Sequence, residues 1–117
     1  MSPSQLHQLA SIEELDELLE QSRQRAQLIF KHSLTCPISA TAYRHFQSYL
    51  DHSPASDVDY HLVTVQQARG VSNEAANRLS VRHESPQAIL VRNQEAVWDA
   101  SHGAITEQSL QENLSQN

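Results

Sequence analysis

The residue best placed to do chemistry is Cys36, the single cysteine in a chain of 117 residues. It stands in Ser33-Leu34-Thr35-Cys36-Pro37-Ile38-Ser39, a short loop that closes on a proline. One thiol excludes an intramolecular disulfide and any zinc site built from two or more thiolates. Pro37 suits the first position of a helix, where a missing N–H costs nothing, so Cys36 falls at the N-cap. The unpaired N–H groups of the first turn and the positive end of the helix dipole there favour thiolate over thiol. A thiolate is the nucleophile of thiol–disulfide exchange. A free cysteine elsewhere would read first as a small buried hydrophobe. The strand-loop-helix setting favours the reactive reading.

The fourth place of this run sharpens the chemistry. In a C-x-x-C pair it holds a second thiol, which resolves a mixed disulfide within the protein. Here it holds Ser39. Cys36 can form a mixed disulfide, but another molecule's thiol must release it. Ser39 reads equally well as an ordinary first-turn residue that satisfies a backbone group.

His32 and His83 fall near the proposed site, where either could hydrogen-bond the thiolate or raise the local positive potential. The simpler reading of each is a structural or solvated side chain. His7 and His52 read as solvated loop residues. None of the seven histidines shows H-E-x-x-H or a paired Cys/His spacing, so no metal site is expected. Gly70 and Gly103 are too few for a phosphate loop, and no serine carries a hydrolase elbow. Ser85-Pro86 leads into a strand and has two accounts. One is an edge strand with the ordinary trans peptide. The other is a cis bond, seen in about 5–6% of X–Pro bonds, which would turn the Ser85 backbone toward the Cys36 loop.

These residues need elements to position them. Ser11 and Glu14 read as a capping box, followed by a helical stripe of Ile12, Leu15, Leu18 and Leu19. Ala26 to Lys31 is a short apolar run, as in a strand buried on both faces. A helix follows from Pro37 to about Leu50, then a loop from Asp51 to Asp57 and a strand from Val58 to Val65. Ser72 is expected to cap a short helix carrying Ala75, Ala76 and Leu79. Gln87 to Val91 and Ala96 to Trp98 read as a hairpin across Arg92–Glu95, and Thr106 as the cap of a last helix through Leu110 and Leu114. The expected fold is α/β: a four-stranded mixed sheet, βαβ then ββα, with helices on both faces and an extra N-terminal helix. Residues 1–10 read as a flexible N-terminus, 11–114 as one domain and 115–117 as a frayed end.

Composition bounds the partners. The chain is 38% hydrophobic, enough for one modest core, with 14 acidic and 8 basic residues and a net charge of −6. Lys31 is its one lysine. An acidic chain without a basic cluster is not expected to bind nucleic acid. No apolar run approaches the ~20 residues of a membrane span, and the start carries no signal-like segment, so no membrane partner and a cytoplasmic location are expected.

Three blocks resemble the monothiol bacilliredoxins, the YtxJ-type proteins of the thioredoxin-like superfamily. They are Phe30-Lys31-His32-Ser33 with Thr35-Cys36-Pro37-Ile38-Ser39, then Val81-Arg82-His83-Glu84-Ser85-Pro86-Gln87, then Ala100-Ser101-His102 with Ile105-Thr106. The likeness runs from about Leu15 to Leu110. It departs at Gly103, where many members carry an aromatic residue. The resemblance implies a thioredoxin-like sheet, Cys36 as the attacking thiol and a cis peptide before Pro86. It implies removal of bacillithiol, or a related low-molecular-weight thiol, from S-thiolated client proteins. That small thiol would act as co-substrate, with a separate disulfide reductase to recycle it and no tightly bound cofactor.

His32, Ser33, Thr35, Pro37, Ser39, His83, Ser85 and Pro86 are the expected contacts to cap and substrate, and His102 is a further candidate for tuning the thiolate. Two other functions compete. One is a redox-sensing binding protein that is merely capped on Cys36. The other is a glutaredoxin-like iron–sulfur carrier, whose usual Gly-Phe-Ser after the cysteine is Pro37-Ile38-Ser39 here.

Overall fold

The computed structural model describes residues 6–52 and 54–114. Its elements run β1 (Leu6–Gln8), α1 (Ile12–Gln21), β2 (Ala26–His32), α2 (Pro37–His52), β3 (Val58–Thr64), α3 (Arg69–Leu79), β4 (Gln87–Arg92), β5 (Glu95–Ser101), a 3-10 turn (His102–Ala104) and α4 (Glu107–Leu114). The strands form one sheet in the order β1-β3-β2-β4-β5. β1, β3 and β2 are parallel, while β4 and β5 run antiparallel to their neighbours.

The sheet thus has five strands rather than four. Leu6–Gln8 pairs with Tyr60–Leu62, and Leu9 behind it is buried. This corrects the flexible N-terminus expected over residues 1–10 for residues 6–9; residues 1–5 and 115–117 lie outside the described residues. A three-residue strand shows no periodicity of its own and exists because β3 offers it an edge. His7 accordingly sits on a strand rather than in a loop, its ring 5.7 Å from that of His61. His52 ends α2, 3.0 Å from Glu107.

β2 lies between β3 and β4 and is covered on both faces, which accounts for its nearly unbroken apolar run. Leu28 and Phe30 meet Ala42, Phe46 and Tyr49 of α2 and Leu110 and Leu114 of α4. Ile29 faces the other way, toward Leu15 and Leu18 of α1 and Val71, Ala75 and Leu79 of α3. The two polar residues in this run, Gln27 and Lys31, are fully buried and each finds partners. The capping box is present, with the Glu14 N–H on Ser11 Oγ at 3.1 Å.

α3 starts at Arg69, after Ala68, so Ser72 is not its cap. Ser72 is instead buried in the helix, and its carbonyl accepts from Lys31. Asn93 and Gln94 both take positive φ, as a two-residue hairpin turn of this hand requires. Both donate backbone N–H groups to Ser22 at the end of α1, each at 2.8 Å. Among the described residues no helix is long and apolar enough to cross a membrane.

Candidate functional site

Cys36 is half-buried where β2 gives way to α2. Its carbonyl accepts the first helical hydrogen bond, from the Ala40 N–H at 3.1 Å, so it is the N-cap. Leu34 and Ile38, two residues before and after it, each leave about half of their surface exposed.

Ser39 is fully buried, and its hydroxyl accepts from the Ser33 N–H at 2.9 Å. The same oxygen is 2.8 Å from His32 Nδ1, to which it can give its own proton. His32 stacks on Tyr43, with ring centroids 4.6 Å apart. Burial pulls the His32 pKa below the ordinary value, which favours the neutral ring that accepts at Nδ1. The place of a resolving thiol is therefore filled by a hydroxyl that binds the loop to β2 and α2.

A second brace comes from Gln66, just beyond β3. Its Oε1 accepts from the Leu34 N–H at 3.0 Å, and its Nε2 donates to Ser33 Oγ at 2.8 Å and Thr35 Oγ1 at 3.3 Å. Gln66 is not among the residues that the sequence marks for the site. No local pattern marks it; the parallel pairing of His32 with Thr64 brings it alongside.

The segment before β4 reaches the same end of the sheet, because Gln87 pairs with Lys31 in antiparallel register. The Ser85-Pro86 bond is cis. β4 is an interior strand with β2 on one side and β5 on the other, so the edge-strand account of Pro86 does not hold. The buried Gln87 amide donates to the Arg82 carbonyl at 3.0 Å and accepts from the Glu84 N–H at 3.4 Å. The His102 N–H, held at φ 54°, donates to the Pro86 carbonyl at 3.1 Å. These bonds grip the segment on both sides of Ser85.

The His83 ring is held by residues of β2 and α3. Its Nδ1 lies 3.2 Å from Lys31 Nζ and 3.3 Å from Ser72 Oγ. Lys31 Nζ also donates to the Ser72 carbonyl at 3.0 Å. Burial lowers the Lys31 pKa to about 8. His32 thus ends β2, Ser33 and Thr35 lie in the loop with Cys36, and Pro37 and Ser39 stand in the first turn of α2, while His83, Ser85 and Pro86 belong to the segment that leads into β4 at the same end of the sheet. Ile38, Thr41, Ala42, His45, His102, Gly103 and Ile105 line a cavity of about 200 Å³ between α2 and the 3-10 turn. Among the described residues, no three His, Cys, Asp or Glu side chains gather as a group that could hold a metal ion.

The chain is similar to known proteins in sequence and in fold. The family model of the monothiol bacilliredoxin BrxC matches residues 7–110. A solved structure described as an oxidoreductase with a thioredoxin fold is 38% identical, covers 93% of this chain and 93% of its own, and superposes with a TM-score of 0.80. Thioredoxin from Fasciola hepatica, 18% identical over 93% of this chain and 96% of its own, gives 0.71. Thioredoxin from Malassezia sympodialis, 14% identical over 95% and 89%, gives 0.74. At these identities the two thioredoxins speak for the fold alone, which is thioredoxin-like.

Proposed function

The chain belongs to the monothiol bacilliredoxin family, and from that premise we propose that it strips bacillithiol, or a related low-molecular-weight thiol, from protein mixed disulfides through Cys36. Family and neighbour together give a thiol oxidoreductase. The observation that carries the finer reading is Ser39: the chain's one thiol stands at a helix mouth, and the position of a resolving thiol holds a buried, hydrogen-bonded hydroxyl.

The chemistry follows from that pairing. The Cys36 thiolate attacks the cap-side sulfur of a client–S–S–cap disulfide. That S–S bond breaks, the client leaves as its thiolate, and the cap is now bonded to Cys36. A second molecule of the small thiol, as thiolate, attacks the cap sulfur of this adduct. Cys36 returns as thiolate and a symmetrical small disulfide departs, which a separate reductase recycles with two electrons. The Ser85 backbone, between the gripped groups of Glu84 and Pro86, is suited to align an extended client in strand-like contact. S-thiolated proteins in the cytoplasm are the clients in this reading.

The test is turnover on a capped protein with the small thiol and its reductase supplied. Cys36→Ser should abolish it. Omitting the small thiol should stall the wild-type chain as a one-to-one Cys36 adduct in intact-mass spectra. Wild-type cap removal by Cys36→Ser would place the chemistry elsewhere. A wild-type chain that becomes capped but never turns over would make it a sensor.

A further inference from the structure

The single lysine of this chain is fully buried under α3, near the end of β2, and the exchange chemistry above makes no use of it. Its ammonium donates to the Ser72 carbonyl at 3.0 Å and lies 3.2 Å from His83 Nδ1. An ammonium has only protons to offer, so the nitrogen it faces must be the bare one. Ser72 Oγ, 3.3 Å away, approaches that same nitrogen. His83 itself is exposed and lines, with Asn73, Asn77 and Arg82, an open cleft of about 450 Å³ between α3 and the segment leading to Ser85.

We propose that Lys31 is a positioning residue that holds His83 as the neutral tautomer with its proton on Nε2, fixing this ring and the segment from Arg82 to Pro86 against α3 so that His83 serves as a hydrogen-bond donor to the capped substrate. Three observations converge on it. The lysine is buried with both contacts made to α3 and to this segment, not to solvent. The Gln87 amide fixes the backbone on either side of His83, at Arg82 and Glu84, so the ring hangs from an anchored segment. The groups facing His83 are two cations, Lys31 and Arg69, and one carboxylate, Glu84. Burial and the Lys31 charge lower the His83 pKa, in line with a ring kept neutral. The substrate role of the ring rests on the cap-removal reading; its tautomer does not.

Nitrogen-15 imidazole spectra of the full chain through a pH titration test the tautomer without any turnover. His83 should be protonated on Nε2 alone when neutral, with a midpoint below the ordinary histidine value. In Lys31→Met the midpoint should rise toward that value, and the neutral ring should divide between both tautomers. In cap-removal kinetics Lys31→Met should raise KM by about three- to ten-fold, the range of one hydrogen bond, with a smaller change in kcat. In a His83→Ala background the same substitution should add nothing, because Lys31 acts through that ring. Should Lys31→Met fail to fold, the wild-type spectrum still decides. A His83 ring protonated on Nδ1, or a titration untouched by Lys31→Met, overturns the proposal. A correct tautomer in a chain that removes no caps leaves the positioning intact and rejects the substrate reading.

Discussion

The Ser39 hydroxyl accepts a hydrogen bond from the Ser33 backbone N–H at 2.9 Å, across the loop that carries Cys36. A side chain in the place of a second redox thiol thus serves as the loop's fastening. It is buried, and its remaining capacity goes to His32.

Ser39→Ala should therefore lower stability more than chemistry. Leaving the Ser33 N–H and His32 Nδ1 without their partner should cost about 1–3 kcal/mol. Urea unfolding should show a lower midpoint with an unchanged slope. Turnover per folded molecule should stay within several-fold of wild type, since the hydroxyl takes no part in bond exchange. A loss as complete as that of Cys36→Ser would give Ser39 a direct role in the reaction.

His61 should make the fold acid-sensitive. It is buried, with Nε2 2.8 Å from Gln27 Oε1, and burial foremost, with His7 beside it, lowers its pKa from 6.5 to about 4. Between those two values the unfolded chain holds a proton that the folded chain refuses. Stability from His61 is thus complete above about 6.5 and is lost as pH falls toward 4, by up to roughly 3 kcal/mol. His61→Gln cannot titrate and retains an amide for Gln27. Its unfolding free energy should fall less steeply over this window; equal slopes for the two proteins would refute the assignment.

Gly103 should tolerate a side chain. A Cβ there would meet nothing within 4 Å, and neither glycine has a positive φ. Gly103→Ala should raise stability by about 0.4–1 kcal/mol, through the reduced freedom of the unfolded chain. Thermal unfolding is the measurement, and a lower Tm would show that the 3-10 turn needs glycine for another reason.

Much of the fold was legible because its signals are local. The β2 run, Pro37 at the start of α2, the Ser11–Glu14 cap and the hairpin turn each lie within a few residues of sequence. β1 leaves no signal because three residues carry no pattern, and α3 begins three residues before Ser72, the serine that resembles a cap. That serine is instead buried inside the helix, where its carbonyl accepts from Lys31, 41 residues away.

The sequence by itself determined that one thiol stands at a helix mouth with a hydroxyl, not a thiol, at the fourth place; residue identity and a proline at the first helical position suffice for that. Only the tertiary structure decided what surrounds it. Gln66 braces the Cys36 loop because β3 runs parallel to β2, and Ser85-Pro86 reaches the same sheet end because β4 runs antiparallel in the register that pairs Gln87 with Lys31. His83 Nδ1 meets Lys31 and Ser72 because Lys31, like Ile29, lies on the face of β2 that α3 covers. Strand order and register depend on how the apolar faces pack, over separations that no local window of the sequence spans.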